Sequence, residues 1–350
     1  MRSIMTPFVV APPPGARVQT RLRPSQQDAA VLGMVGEYLG ELAGSDLARR
    51  CAVGPGADSR AERKRALTAQ SSSRWAGAIT RTSNDQWRRG WRNLLDVRAG
   101  RRRAIRVIQL RLAVPVGGRT ARTRGYATAA ERYAKQQRLQ HLQAQLAQVE
   151  RRIGQGRVSV VRGGRRLAKV RHRLTDARLT EGQWRQCWTA ERWFLTADGE
   201  ADKPFGNETI RVHPEEGWLE LKLPAPLAYL ANRPHGRYRL SCPVRFNHRA
   251  DEWAAQVDAG AVRYDIDFVP DRGRWYLSAS WRRPTPPAAT VQQAVAGGVL
   301  AVDLNAGHLA CWQVDPDGNP VGVGVDIPLA LEGLSASTRD GRLRTGISRL

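Results

Sequence analysis

Hydrophobic spacing divides the chain into a helical first half, a strand-rich middle and a short final meander. Arg17 to Arg23 (RVQTRLR) alternates apolar and polar residues, the pattern of a half-buried strand. Ser25 stands as an N-cap before a helix predicted from about Gln26 to Leu42, where Val31, Met34, Val35, Tyr38, Leu39 and Leu42 recur at three- and four-residue steps. Gly44-Ser45-Asp46 is expected to end it. Ala127 to Ile153 is the clearest helix, with Leu139, Leu142, Leu146, Val149 and Ile153 on one stripe suited to a core or a helix-hairpin seam. Glycines then bracket a short strand or extended piece at Val158-Ser159-Val160-Val161. From Phe205 to Arg283 the runs TIRVH, WLELKL, GRYRLSCPVRF, YDIDF and RWYLSASW read as short strands, with a turn at Arg272-Gly273. Such a series predicts a small β-barrel, which RVQTRLR would join with the helices inserted between. Pro284, Pro286 and Pro287 form a linker. Val299 to Leu304 is a continuous apolar run interrupted only by Asp303, as in a strand buried on both faces. His308 to Val314 is a second strand, and Asp315-Pro316-Asp317-Gly318-Asn319 a turn into a third.

Charge changes the picture. The 350 residues carry 56 Lys and Arg against 32 Asp and Glu, a net charge of +24. A balance of that size draws a protein onto polyanions, and arginine suits phosphate contact and base stacking better than lysine. An ordinary solvated surface in an arginine-rich protein is the bland alternative. The density is greatest from Arg60 to Arg173, where few acids offset Arg88, Arg89, Arg92, Arg101, Arg102, Arg103, Arg106, Arg162, Arg165, Arg166, Lys169 and Arg171. Trp87 and Trp91 stand among these in NDQWRRGWRNLL. Aromatics interleaved with arginine can stack on unpaired bases, while a four-residue step equally lets both indoles pack inward. Trp184, Trp188, Trp218, Trp253, Trp275 and Trp281 are expected in the core.

Other chemistries are thinly represented. Cys51, Cys187, Cys242 and Cys311 form no CxxC pair, which argues against structural zinc and a disulfide framework and fits a cytoplasmic protein. The six histidines show no metal-ligand spacing, and GxSxG, P-loop and GxGxxG motifs are missing. The apolar patch in MRSIMTPFVVAPPPGAR is too short for a signal peptide, and no run reaches the ~18 apolar residues of a membrane span. Asp303 remains the one candidate catalytic and metal-binding carboxylate. It could equally cap the Asn305-Ala306-Gly307 turn. A lone carboxylate holds magnesium poorly, and Asp315, Asp317, Asp326, Glu332 and Asp340 do not complete a site from sequence.

Ala301-Val302-Asp303-Leu304-Asn305-Ala306-Gly307-His308-Leu309-Ala310 resembles the first RuvC-like nuclease motif of the TnpB (OrfB) family, transposon-encoded RNA-guided endonucleases. GRYRLSCPVRFNHRADEW, RWYLSASW and STRDGRLR are similar to the segments flanking that motif. The resemblance implies an α+β multidomain protein: residues 1–25 as the first strand of a split wedge barrel, 26–200 as a basic helical recognition domain, 201–290 as the wedge barrel, and 291–350 as the start of an RNase-H-like (RuvC-like) domain. It further implies a guide RNA, a double-stranded DNA target, magnesium, and Asp303 as a catalytic metal ligand. The family's remaining Glu, CxxC element and Asp would fall beyond Leu350. The expectation is therefore a truncated or split copy, inactive alone, with a separately encoded C-terminal fragment as a further partner. A guide-RNA or DNA binder that cuts nothing, and an unrelated arginine-rich RNA-binding protein, are the competing readings.

Overall fold

The computed structural model describes residues 9, 14–55, 59–284, 289–305, 307–334 and 336–350. Pro286 and Pro287 of the expected linker, most of the segment before Pro14, and Ala306 lie outside them. The chain forms two compact units, one of residues 16–282 and one of 283–350 with 1–15.

The larger unit runs β1 (Gly15–Leu22), α1 (Gln26–Ala52), α2 (Arg60–Thr68), α3 (Ser73–Leu112), α4 (Ala129–Gly154), α5 (Arg165–Val170), α6 (Glu181–Ala190), β2 (Thr196–Ala197), β3 (Ile210–Val212), β4 (Leu219–Lys222), β5 (Arg237–Arg239), α7 (Ala250–Ala259), β6 (Arg263–Val269) and β7 (Arg274–Arg282). Its strands make two sheets, ordered β1-β7-β6-β2 and β3-β4-β5. The leading strand, which the alternation predicted, thus joins strands from the far end of the unit, β1 lying beside β7. One core serves both sheets and the helices. Leu22 of β1, Leu32, Val35 and Leu39 of α1, Trp75 and Ile79 of α3, Ile210, Leu219 and Leu221 of the small sheet, and Tyr264 and Leu277 of the large one are all buried in it. Each such side chain contributes about 1.5–3 kcal/mol by leaving water. Trp75 also donates its indole N–H to the Lys222 carbonyl at 2.9 Å, tying the first turn of α3 to β4.

Helix α1 starts as predicted, with Ser25 and Asp28 forming a reciprocal capping box. It does not stop at Gly44-Ser45-Asp46 but continues to Ala52. The reason is tertiary. Gly36 and Gly40 bring the helix backbone against Arg192–Trp193: a Cβ at Gly36 would lie 3.1 Å from the Trp193 ring, and one at Gly40 would collide with the Arg192 carbonyl. The Gly36 carbonyl accepts the Phe194 N–H at 2.9 Å. Asp46 does not cap anything. Its carboxylate is buried against the Arg63 guanidinium of α2, 2.6 Å away.

Asp28 is buried and accepts hydrogen bonds from Tyr238 Oη at 3.0 Å, the Ser241 N–H at 3.0 Å and Ser241 Oγ at 2.5 Å. Burial pushes its carboxyl pKa up, and the bonds from Ser241, Ser25 and Tyr238 outweigh burial, so the net shift is downward. A carboxyl whose folded pKa is depressed adds stability above its unfolded pKa of about 3.9 and loses it as pH falls through the folded value. Asp28→Asn is therefore expected to cost about 2 kcal/mol at neutral pH and to flatten the loss of stability below about pH 4. Thermal midpoints from pH 7 to pH 2 check this, and an identical acid slope in the variant would refute it.

The smaller unit contains α8 (Val291–Val295), β8 (Val299–Leu304), β9 (His308–Val314), β10 (Pro320–Pro328) and α9 (Ala336–Ile347). The meander and its turn form where the pattern placed them: the Asp315 N–H donates to the Asn319 carbonyl, the Asp315 carboxylate accepts the Asn319 N–H, and the sheet order is β10-β9-β8. Burial differs from expectation. All of β8 is exposed, including Leu300 at 49% and Leu304 at 65%. The middle position belongs to β9, and the buried cluster is Leu309, Cys311, Ile327 and Leu329, packed with Leu331 and Leu343. A run of apolar residues reports that a strand suits a covered sheet, not that a cover is present.

Candidate nucleic-acid interface

Helix α3, 40 residues long, carries most of the predicted cationic residues, and α4 packs along it as the antiparallel arm of a hairpin. The leucine stripe of α4 forms the seam: Val149 is buried and Leu139, Leu142, Leu146 and Ile153 are half-buried. On α3 the inward residues are Leu94, Ile105 and Ile108. At 3.6 residues per turn, Arg88, Arg92, Arg103 and Arg106 fall on one other face, spread over about 27 Å. All four are exposed. Among the described residues Arg92, Arg103 and Arg106 have no ion-pair partner, and Arg88 has only Asp85 at 3.9 Å. This is a linear array of fixed positive charge.

The remaining predicted residues divide by environment. Arg89 is exposed, with its Nε 3.5 Å from the Asp85 carbonyl. Arg101 donates to Gln145 at 3.2 Å and Arg102 pairs with Glu150 at 2.5 Å, so both serve the hairpin seam. Arg165, Arg166 and Lys169 on α5 and Arg171 just beyond it are exposed.

Arg162 is not a surface cation. It is buried, donating to the Arg192 carbonyl at 2.8 Å and the Trp193 carbonyl at 2.7 Å. Burial, helped by repulsion from Arg192, lowers its pKa to about 10. Its guanidinium fastens the 192–193 turn rather than reaching solvent.

Trp87 is likewise withdrawn, only 5% exposed, with the Arg50 guanidinium 3.7 Å from its ring centre and Trp91 stacked on it at 5.6 Å. It has no exposed face on which a base could stack. Trp91 is half-buried and remains accessible. Of the tryptophans expected inside, Trp184, Trp253, Trp275 and Trp281 are buried, while Trp188 and Trp218 are half-buried.

A second cationic group escaped the sequence reading. Arg21 and Arg23 of β1 and its edge line an open hollow with Arg245, Asn247 and His248. All are exposed, and the three arginines have no ion-pair partner among the described residues. The signal was present as the outward positions of RVQTRLR and CPVRFNH, but nothing local shows that two segments over 200 residues apart adjoin.

Asp303 pairs with Ala310 across the meander, and Asp326 pairs with the same Ala310 from the other side. The two carboxylates therefore share one sheet face about 10 Å apart, two strand spacings. Asp303 makes no hydrogen bond or ion pair among the described residues, and the following turn is closed by the Asn305 N–H on the His308 carbonyl at 3.0 Å. No group of three His, Cys, Asp or Glu capable of holding a metal occurs among the described residues. Magnesium takes about six oxygen ligands at about 2.1 Å, several of them waters with one or two carboxylates, and two carboxylates about 10 Å apart cannot share one ion, so this arrangement fits it poorly. A magnesium site at Asp303 needs oxygen ligands that the described residues do not bring there. No described helix is long and apolar enough to cross a membrane. No protein-family model and no curated protein matches this sequence.

Proposed function

We propose that this chain is a nucleic-acid-binding protein of the transposon-associated RNA-guided endonuclease type, in which the α3–α4 hairpin and α5 hold RNA by its phosphates. The observation that carries the reading is the row of exposed, largely unpaired arginines at 88, 92, 103 and 106. Fixed positive charge at that spacing neutralises successive phosphates and releases their condensed counterions, which is the main source of sequence-independent affinity. The hollow at Arg21, Arg23 and Arg245 adds a second phosphate-binding surface on the β-sheet side. In this reading the two sheets correspond to a wedge barrel, the hairpin to a recognition domain and the meander to the first part of an RNase-H-like nuclease. Sequence selection would come from base pairing with the guide, by fold-level analogy.

Asp303 belongs to the reading as one ligand of a cleavage site, without the others. The expected behaviour is binding without cutting. Retention of a folded RNA hairpin should fall linearly in log–log form as salt rises from about 50 to 300 mM. With magnesium and a DNA duplex matched to the RNA, the 350-residue chain should leave the duplex intact. A flat salt response would overturn the binding claim. Magnesium-dependent cutting that Asp303→Asn abolishes would overturn the claim of an incomplete site.

A further inference from the structure

We propose that Trp91 is a stacking platform for an unpaired nucleobase of a single-stranded nucleic acid, an inference that rests on the nucleic-acid reading above. Trp91 sits at the margin of α3 between the apolar seam and the arginine face, one residue from Arg92 and three from Arg88. It belongs to neither buried core. An indole half in water beside a row of cations offers an aromatic surface that a nucleobase could cover.

The ring is already held in place. Trp91 stacks on Trp87 with ring centres 5.6 Å apart and planes 10° from parallel. Trp87 in turn lies under the Arg50 guanidinium, which donates to Asn84 Oδ1 at 3.0 Å and to the Val53 carbonyl at 3.0 Å. Arginine and two indoles thus form a rigid stack anchored at the end of α1, and a base added to Trp91 would order little that is not ordered already. A hollow of about 570 Å³, within the range of small-ligand sites, is lined by both indoles together with Arg88, Arg89, Arg92 and Asp85. Three arginines around an aromatic floor match a nucleotide, base on the ring and phosphate on the guanidinium groups.

The other tryptophan pair shows what a purely structural stack looks like. Trp184 and Trp188 have the same four-residue step and stack at 5.8 Å. There Trp184 Nε1 donates to the Leu167 carbonyl at 2.9 Å, and the Arg192 guanidinium lies over Trp188 at 5.2 Å. The Trp87 Nε1, by contrast, is buried with no acceptor.

The test uses the full chain with three probes: single-stranded RNA and single-stranded DNA of about 20 nucleotides, and a covalently closed circular duplex without ends. Trp91→Ala should weaken binding to one or both single strands about 10-fold or more and leave the circular duplex unchanged. Trp91→Phe should restore most of the loss. Indole fluorescence should be quenched by the strand that loses affinity and not by the duplex. Equal loss on strand and duplex, or no loss on any probe while the wild type still binds, would overturn the stacking inference alone. A wild-type protein that binds none of the three would instead remove the nucleic-acid reading beneath it.

Discussion

Asp46→Ala is expected to destabilise the larger unit by about 4 kcal/mol, the cost of stranding a buried charge. Asp46 and Arg63 are exposed to only 1% and 5% of their side-chain area. The pair is sparsely supported. Arg63 Nε donates to Ser59 Oγ at 3.1 Å, but Asp46 Oδ1 and Arg63 Nη2 reach no partner. Keeping both ions therefore adds little beyond what apolar residues of the same size would supply, whereas removing one leaves the other uncompensated in a low-dielectric site. Against a typical domain stability of about 5–15 kcal/mol the single change is severe. Replacing both residues, as Asp46→Leu with Arg63→Met, should recover most of the loss. Urea unfolding of wild type, single and double variants measures it. A single variant within about 0.5 kcal/mol of wild type would mean that the pair is solvated and that α2 docks on α1 by other means.

Replacing Arg88, Arg92, Arg103 and Arg106 together by alanine is expected to abolish most RNA affinity while leaving the fold intact. These side chains are exposed and outside the hairpin seam, so each change should alter stability by no more than about 0.5 kcal/mol. Each neutralised phosphate on a single strand carries about 0.7 decade of affinity per decade of salt. Four such contacts amount to nearly three decades between about 1 M and 0.1 M salt, so the variant should bind roughly several hundredfold more weakly at 0.1 M. Arg162 makes the contrast. It stands in the same sequence cluster, yet it bonds backbone carbonyls. Its replacement should lower stability instead.

What was legible in the sequence was whatever is decided locally. The N-cap at Ser25, the alternation of the strands from Ile210 to Arg282, the Asp315–Asn319 turn and the α4 leucine stripe each depend on residues within one or two turns of one another. What was illegible depended on distant partners. Gly44-Ser45-Asp46 has the composition of a helix end, yet α1 passes through it because Arg63 takes the Asp46 charge. Helix α3 does carry an apolar stripe, with Trp75, Ile79, Trp87, Leu94, Ile105 and Ile108 on one face of its 40 residues, but the dense arginines between them masked it. Much of its apolar face meets only the narrow seam of α4, and Gly90, a helix breaker by propensity, is there to admit Val158 and Val160. Val299–Leu304 reads identically whether or not a further layer covers it, and here it is bare. The candidate site was legible as a cluster of cations but not as a face. Sequence spacing could not separate the outward Arg92 from the buried Arg162, nor Trp91 from the enclosed Trp87.

The most direct test of the account is the salt slope of RNA binding for the wild type and the four-alanine variant on the same single-stranded RNA. Phosphate contact by the α3 face predicts a plot of log affinity against log salt that is shallower in the variant by about 3, four contacts at ~0.7 each. Parallel lines for the two proteins would contradict it.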